Sequence, residues 1–386
     1  MMSGCGANER VVLTGATGFL GRQILNRLLD ERPQAQVVLL LRDSAGQSAR
    51  QRLDGLLAGC PDPDKRELLY QRIQVVPSDI RAGCCGLSEH DWCAVADGAT
   101  HVIHGAASVR FDQTVDEARE VNVGGARNLL AIAEEAFRRG AFERFVYIST
   151  AFVAGSRKGL VREDELDVGQ QFRNSYERSK CEAESLVRRR MTSLPATVLR
   201  PSIIVGDSRT GVTSSFNTLY WPLRAYAQRG WRIAPGRPGT VVDLVPVNFV
   251  ADAALHLTFL SEAAGRTFHL AAGPRRSATI GQIADSAARF FRRPPPRFVN
   301  MRLFTAILHP LLLATVWGRR RRILKQGRFY RPYLDMDLEF DTTQADALLE
   351  TAGIRPPHVR EYLERLFAFC LESDWGRRPA SQEFVA

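Results

Sequence analysis

A glycine-rich turn near the start of the chain constrains the fold more than any other feature. An apolar run typical of a β-strand (residues 11–13) leads into TGATGFLG at residues 14–21, and helical spacing of apolar residues follows to residue 29. In such units one glycine makes the turn, one lets the backbone approach a pyrophosphate, and one lets the helix pack closely on the strand. Backbone N–H groups and the helix dipole then bind the anion. The pattern predicts a dinucleotide site.

Strand-like runs and helical patterns alternate through the first half of the chain. Strands are predicted at residues 11–13, 37–41, 73–76, 101–104 and 145–149. This alternation, at intervals of about 30 residues, predicts an α/β fold: a doubly wound parallel sheet (Rossmann) that binds ligands beyond the carboxyl ends of its strands. The regular alternation stops at about residue 207. We therefore expect a dinucleotide-binding domain over 1–206, with 240–260 returning to it, and a smaller, mostly helical substrate-binding lobe over 207–239 and 261–386.

The residues after the second strand indicate which coenzyme is bound. NAD sites usually place an acid here, where it binds the ribose 2′-hydroxyl, but in this chain Arg42 comes first and Asp43 second. Because a guanidinium suits a 2′-phosphate, NADPH is favoured over NADH, and Arg52 is a second candidate phosphate ligand. Asp43 keeps NADH open, and Arg42 also fits an ordinary surface arginine.

Polar and small residues follow the third and fourth strands. Asp79 and Ile80 come just after the third strand, where a carboxylate can accept a hydrogen bond from the adenine amine; the alternative is an ordinary turn aspartate. Ala106 and Ala107 follow the fourth strand, and such small side chains let a flat nucleotide lie against the backbone. His104 is expected to be a packed core histidine.

Tyr176 and Lys180 are four residues apart on a predicted helix, and therefore share one face of it. A phenol has a pKa near 10, and a neighbouring ammonium in a site of low dielectric favours the phenolate, which lowers that pKa toward the working range. Thr150, at the end of the fifth strand, can orient a substrate carbonyl or stabilise a developing oxyanion. Thr150, Tyr176 and Lys180 are therefore the predicted catalytic residues; the alternative is a stabilising surface contact.

Composition limits the partners. The formal net charge is +10, and only four of the 52 basic residues are lysines. A basic surface can favour phosphate-bearing substrates, acidic proteins or membrane headgroups, or it can simply be solvated. The arginines are dispersed and no recognition motif occurs, so no nucleic acid partner is expected. Seven cysteines without metal-like spacing predict a reducing, cytoplasmic location with neither disulfides nor a metal site. We expect no signal segment and no spanning helix.

The expected lobe is rich in aromatic and apolar residues. Aromatic side chains are dense over residues 218–232, and an apolar run over 303–317 precedes four arginines at 319–322 and Lys325. The segment 303–325 suits peripheral membrane contact, or the wall of an acyl tunnel whose mouth meets a phosphate. A helix packed on the core, with a solvated basic end, is the simpler alternative.

From about residue 10 to 260 the chain resembles the extended short-chain dehydrogenase/reductase superfamily. The resemblance lies in the glycine turn, the strand-end Thr150, Tyr176-x-x-x-Lys180, RPSIIVG at 200–206 and VDLVPVNFVAD at 242–252. Within the superfamily, HGAASVRFD at 104–112, ISTAF at 148–152 and RPSI at 200–203 are similar to fatty acyl-CoA reductases and thioester reductase domains. LEFDT at 338–342 and a final helical pattern at 359–371 extend that similarity.

The resemblance implies an NADPH-dependent reductase of acyl thioesters, carried on CoA or on an acyl or peptidyl carrier protein. The product would be an aldehyde, with an alcohol after a second reduction. Tyr176 would donate the proton, Lys180 would hold the ribose and Thr150 would position the carbonyl. The alternatives are a reductase or epimerase acting on a ketone or hydroxyl of a lipid, steroid or sugar nucleotide, and a dinucleotide-sensing protein. The predicted cofactor-binding residues are Gly15, Thr17, Gly18, Phe19, Leu20, Gly21, Arg42, Arg52, Asp79, Ile80, Ala106, Ala107, Tyr176, Lys180, Pro201 and Ile203.

Overall fold

A computed structural model describes residues 9–378 apart from 45, 230–232, 316 and 319–330. Its strands are β1 (Arg10–Thr14), β2 (Gln36–Leu41), β3 (Ile73–Pro77), β4 (His101–His104), β5 (Arg144–Ile148), β6 (Gly159–Val161), β7 (Ala196–Pro201), β8 (Ile203–Val205), β9 (Ile233–Pro235), β10 (Val241–Val242), β11 (Leu244–Pro246), β12 (Thr267–Leu270), β13 (Ala278–Thr279), β14 (Arg297–Val299) and β15 (Leu338–Phe340).

Its helices alternate with these strands in the first half of the chain and dominate the second half. They are α1 (Phe19–Glu31), α2 (Ala49–Leu57), α3 (Pro63–Arg72), α4 (Glu89–Ala96), α5 (Val115–Arg138), α6 (Ser175–Arg190), α7 (Tyr220–Arg229), α8 (Val247–Phe259), α9 (Gly273–Arg276), α10 (Ile280–Phe290), α11 (Met301–Leu303), α12 (His309–Thr315), α13 (Thr343–Leu349) and α14 (Leu363–Glu372). A π-helical turn, Phe304–Leu308, joins α11 to α12, and a 3₁₀ turn, Arg331–Leu334, precedes β15.

Seven strands form one parallel sheet in the order β12-β7-β5-β4-β1-β2-β3. The chain winds outward in both directions from the β1–β4 pair, in which Thr14 is in register with His104. The predicted doubly wound parallel sheet is therefore confirmed. Each of the five strands predicted from apolar runs lies within one residue of its expected position, because strands buried on both faces read as continuous apolar runs.

Helices cover both faces of the sheet. In β1, Val11 and Leu13 face one apolar cluster and Val12 faces the other, because successive side chains of a strand point to opposite faces. Helices α1 and α8 pack on the first face, while α5 and α6 pack on the second. Helix α8 lies within the segment 240–260, and the expected return of that segment to the first domain stays a prediction.

One strand departs from the predicted division of the chain. Residues 261–386 were expected in the lobe, but β12 is the edge strand of the central sheet, paired in parallel with β7. Its side chains are all buried, so it completes the core of the sheet. The rest of the predicted domain division stays a prediction.

Glu163 connects distant parts of the chain. Its carboxylate is fully buried and accepts hydrogen bonds from the backbone N–H groups of His269 (2.9 Å), Gln344 (2.6 Å) and Ala345 (3.2 Å). Just before it, β6 pairs with β15. The C-terminal segment 338–349 is therefore built into the half of the molecule that holds the sheet.

A third apolar cluster combines α7, α10 and α14 with β8, β10 and β11. Beside it, residues 301–315 form a largely exposed helical segment, which we name the surface helix. The arginines 319–322 and Lys325, which complete the predicted membrane-contact segment, lie outside the described residues. Among the helices that the structure describes, none combines the length and the apolar character needed to cross a bilayer.

Candidate active site

The glycine turn has the tight geometry expected of a phosphate-binding turn. Gly15 has φ +81°, and a Cβ there would lie 2.7 Å from the Ala106 nitrogen. A Cβ on Gly21 would lie 2.1 Å from the Gly15 oxygen, so only glycine allows α1 to pack this closely on the turn. Gly18 is exposed, and its extended backbone opens α1 just before Phe19 and Leu20.

Arg52 lies between the glycine turn and the end of β2. Its guanidinium donates to the Thr17 hydroxyl and to the Arg42 carbonyl, both at 2.6 Å. The Arg42 side chain is exposed, while the Asp43 carboxylate accepts from the Ala49 N–H (2.6 Å) at the start of α2. The structure thus brings Arg52 to the turn and engages Asp43 in local structure.

Asp79 and Ile80 follow β3 as predicted. The Asp79 carboxylate is held by the Arg81 guanidinium, with Nε 3.0 Å from both oxygens, and this hydrogen bonding lowers the Asp79 pKa. The Ile80 carbonyl accepts from the Asn128 amide at 2.8 Å. Asp79 therefore anchors its own loop, and a role toward adenine stays a prediction.

A chain of hydrogen bonds joins the ends of β1 and β4. The Thr14 hydroxyl lies 2.8 Å from the His104 Nδ1 and accepts from the Ala106 N–H at 3.2 Å, while Ala107 follows in the same loop. Burial lowers the pKa of His104 to about 3, so this histidine is a neutral core residue, as predicted. Farther along, Asn122 binds the Ser108 backbone and the Ser179 hydroxyl, and so ties this loop to α6.

Thr150 and Tyr176 meet at the carboxyl end of the sheet. The buried Thr150 hydroxyl donates to the Pro201 carbonyl at 3.5 Å and is hydrogen-bonded to the Tyr176 side chain. Burial raises the pKa of Tyr176 to about 12, and the Thr150 bond partly offsets that rise. The phenol is therefore held in its protonated form at neutral pH.

Lys180 is buried one turn along α6. Its Nζ donates to the Ile148 carbonyl at 2.6 Å and lies 4.2 Å from the Tyr147 ring centroid. Burial lowers the pKa of Lys180 to about 7. Burial is the largest influence on the Tyr176 pKa and raises it, and the hydrogen bond that lowers it comes from Thr150. The predicted effect of Lys180 on that pKa stays a prediction.

A buried ion pair joins α6 to β7. Glu184 and Arg200 have no exposed side-chain surface, and their charged atoms are 2.6 Å apart. The Ser149 hydroxyl, beside Thr150, donates to Glu184 at 2.6 Å. Since Glu184 lies one turn beyond Lys180, the pair fixes the face of α6 that carries Lys180 against β5 and β7.

An apolar cavity of about 180 Å³ opens in the lobe. Of the lining residues that the structure describes, none is Asp, Glu, Lys or Arg. Tyr226 also lines the cavity, but its hydroxyl donates to the Pro294 carbonyl (2.9 Å) and so does not offer its proton to a ligand in the cavity. Ile203, one of the predicted cofactor-binding residues, lines this cavity.

Aromatic side chains connect the cavity to the predicted proton donor. Tyr333 lines the cavity, and its ring centroid is 5.6 Å from that of Phe111. The Phe111 ring is in turn 5.9 Å from the Tyr176 ring. The cavity wall therefore continues to the Thr150–Tyr176 pair.

Sequence reasoning missed several residues of this site. Tyr333 belongs to no recognised pattern, and the Glu184–Arg200 pair joins two ordinary-looking charges from different elements. The sequence indicates Glu177 only weakly as a site residue, because its one distinguishing feature is its position between Tyr176 and Lys180. The sequence indicates Asn122 more clearly, because it is a polar residue on the apolar face of a predicted helix.

Comparisons with known proteins identify the family. A family model described as male sterility protein matches residues 13–254. Nonribosomal peptide synthetase asaC of Aspergillus flavus is 31% identical over 275 residues, which cover 68% of this chain and 26% of the synthetase. Fatty acyl-CoA reductase 1 of Homo sapiens is 27% identical over 289 residues, which cover 66% of this chain and 55% of that protein.

The match to a solved structure extends over nearly the whole chain. The terminal R domain from the myxalamid PKS-NRPS biosynthetic pathway superposes with a TM-score of 0.81 at 26% identity, covering 97% of this chain and 93% of that domain. The chain spans about a quarter and about half, respectively, of the two curated relatives. Since the family model matches more than half of its residues, the chain belongs to the male sterility protein family and has the extended short-chain dehydrogenase/reductase fold.

Proposed function

We propose that this protein is an NADPH-dependent reductase of acyl thioesters. The observation that carries the proposal is the apolar cavity, whose wall continues through Tyr333 and Phe111 to the Thr150–Tyr176 pair. An alkyl chain gains about 0.8 kcal/mol per buried CH₂ in such a cavity, whereas buried polar groups without partners cost free energy. The names of the relatives, fatty acyl-CoA reductase and terminal R domain, support the same substrate class.

The residues present fit a dinucleotide. The glycine turn leaves no room for a Cβ at Gly15 or Gly21, as a turn that approaches a pyrophosphate requires. In this proposal Arg42 and Arg52 hold the 2′-phosphate, and the Asp43 carboxylate, already bonded to Ala49, does not compete for it. Lys180 would hold the ribose. When bound, the coenzyme supplies the hydride. The adenine and nicotinamide would be held by Asp79, Ile80, Ala106, Ala107, Pro201 and Ile203.

The chain's own groups handle the proton. The Thr150 hydroxyl, at the cavity end of the sheet, orients the thioester carbonyl. Tyr176, whose phenol is protonated at neutral pH, donates its proton to the carbonyl oxygen as that oxygen becomes negative. The resulting hemithioacetal loses its thiol and leaves an aldehyde. We propose the aldehyde as the first product, and a second reduction in the same site would give an alcohol.

The carrier is CoA or an acyl or peptidyl carrier protein. Both present a phosphopantetheine arm, and the net charge of +10 favours such anionic groups. An arm of this kind delivers the thioester to Tyr176 while the acyl chain enters the cavity. Relatives named as synthetase and R domain support the carrier-protein form.

We also propose peripheral contact between the surface helix and a membrane. Leu303, Ile307 and Leu311, spaced four apart, are 48%, 57% and 58% exposed, and Trp317 is 79% exposed. From residue 303 to 318 the sequence holds no Asp, Glu, Lys or Arg, and a basic stretch follows. Apolar faces with cationic flanks lie in the headgroup region of membranes.

Coenzyme oxidation tests the main proposal. The near-ultraviolet absorbance of NADPH is followed with a panel of acyl-CoAs, and the products are trapped and identified. We expect turnover that falls about 10²- to 10⁴-fold in Tyr176→Phe. Tyr70→Phe is the control, because its hydroxyl binds only the exposed Asp54 among the described contacts. No turnover of acyl-CoA or carrier-bound thioesters would contradict the proposal and favour a ketone or sugar-nucleotide substrate.

A further inference from the structure

A closed circuit of hydrogen bonds joins the cavity wall to the first turn of α6. The Tyr333 hydroxyl donates to the Glu177 carboxylate at 2.6 Å and accepts from the Asn174 side-chain amide at 2.8 Å. Asn174 in turn accepts from the Glu177 N–H at 2.9 Å and caps α6. We name these three residues the clasp. It joins residues about 156 positions apart in the chain.

The clasp is buried and chemically specific. The Glu177 side chain has no exposed surface, and Tyr333 is 6% exposed. The carboxylate also accepts from the Arg173 N–H at 3.0 Å and pairs with the Arg173 guanidinium at 3.4 Å. A buried carboxylate needs such donors, so replacing the Tyr333 hydroxyl leaves part of it unsatisfied.

Tyr333 also contacts both sides of the proposed reaction site. Its ring lines the apolar cavity, stacks at 17° on Phe111 and meets the edge of Phe152 at 5.4 Å. Its hydroxyl fixes Glu177, the residue that directly follows Tyr176. One side chain therefore forms part of the cavity wall and also holds the turn that carries the proton donor.

We propose that Tyr333 is a positioning residue that fixes Tyr176 relative to a chain bound in the cavity. This inference rests on the proposed function. The ring aligns the first carbons of the acyl chain, and the hydroxyl, through Glu177 and Asn174, fixes the helix turn from which Tyr176 projects. Proton transfer requires the phenol within hydrogen-bond reach of the carbonyl, and a displacement of about 1 Å can cost about 100-fold in rate.

Two substitutions separate the two roles of Tyr333. Tyr333→Phe removes the hydroxyl and keeps the ring, so we expect kcat to fall about 10- to 100-fold while KM for a dodecanoyl thioester and the Kd for NADPH stay within about twofold. Tyr333→Ala removes the ring as well. It should also raise KM for the dodecanoyl thioester, with a smaller change for a butyryl thioester.

Tyr362→Phe is the matched control. Tyr362 is a buried tyrosine of the third apolar cluster, and its hydroxyl donates to the Leu244 carbonyl at 3.0 Å. Tyr362→Phe should lower the melting temperature about as much as Tyr333→Phe does, but its kcat should stay within about twofold of the wild-type value. A fall in kcat that simply followed the melting temperature in both variants would overturn the positioning role.

Amide hydrogen exchange tests the clasp without requiring that the protein turn over a substrate. In the 386-residue chain, Tyr333→Phe should speed amide exchange several-fold in peptides covering residues 174–180, whereas Tyr362→Phe should not. If wild type reduces no thioester, the proposed function fails while exchange still tests the clasp. Unchanged exchange in Tyr333→Phe, or a kcat equal to that of wild type, would overturn the inference.

Discussion

At the scale of single residues, Arg52 has the clearest consequence for coenzyme choice. It is bonded to the glycine turn and to the end of β2, whereas its neighbour Arg50 lies over the Tyr70 ring, 4.7 Å from the centroid. Arg52→Ala should lower the ratio of kcat/KM for NADPH to that for NADH at least about tenfold, because a guanidinium–phosphate contact is lost. Arg50→Ala should leave the ratio unchanged. Equal losses with both coenzymes in Arg52→Ala would mean that Arg52 only supports the turn.

The buried Lys180 leads to a prediction about proton uptake when the coenzyme binds. Burial lowers its pKa to about 7, so part of the population is neutral in the free protein at pH 8. An anionic coenzyme beside it favours the ammonium and raises that pKa, so binding should take up a fraction of a proton, at most about one, at pH 8. Titration calorimetry of NADPH binding in buffers of different ionisation enthalpy measures this uptake. It should disappear in Lys180→Met and persist in Lys65→Met, and uptake that persists in Lys180→Met would assign it to another group.

At the scale of elements, the glycine turn is the least tolerant part of the fold. A methyl group at Gly21 would lie 2.1 Å from the Gly15 oxygen, whereas one at Gly55, in α2, meets no atom within 4 Å. Gly21→Ala should therefore lower the free energy of unfolding by about 1–3 kcal/mol and weaken NADPH binding. Gly55→Ala should raise it by about 0.5–1 kcal/mol, since alanine is the better helix former. Denaturant unfolding measures the stability of the two variants, and coenzyme fluorescence measures their NADPH binding. A Gly21→Ala variant that is as stable as wild type and binds NADPH normally would contradict the packing argument.

The surface helix has its own test. Ile307→Glu places a charge in the exposed apolar stripe and should abolish sedimentation with vesicles containing phosphatidylglycerol, because an ionised side chain resists transfer into lipid. Leu68→Glu alters a leucine of similar exposure (59%) on α3 and should have no effect. Binding only to anionic vesicles is expected from the basic stretch that follows. If wild type fails to sediment with such vesicles, the membrane proposal is wrong.

At the scale of the whole molecule, the chain passes repeatedly between the sheet and the lobe. After α7, α8 returns to the sheet, α10 belongs to the third apolar cluster, and β15 pairs with β6. Because the two halves share these segments, we expect one cooperative unfolding transition. Tryptophan fluorescence and far-ultraviolet circular dichroism should give coincident urea curves in wild type. Two separated transitions would show that the sheet and the lobe unfold independently.

The sequence predicted the sheet better than the lobe for physical reasons. β2 and β5 are buried on both faces and therefore appear as apolar runs, and the glycine turn was predicted from local spacing because Gly15 and Gly21 leave no room for a Cβ. Tyr176 and Lys180 were found because four residues make one helical turn. Tyr333 and Glu177 are paired by tertiary packing across the fold, and no local periodicity records such a contact. The placement of β12 was missed because the regular strand–helix alternation had already ended.

The backbone bonds to Glu163 affect how the protein is made. Its carboxylate is buried, yet all three of its N–H donors come from residues synthesised more than 100 positions later. During translation the nascent chain cannot desolvate this carboxylate at low cost until residues 344 and 345 have left the ribosome. We therefore expect the surroundings of Glu163 to close only after the segment that carries residues 344 and 345 has been synthesised.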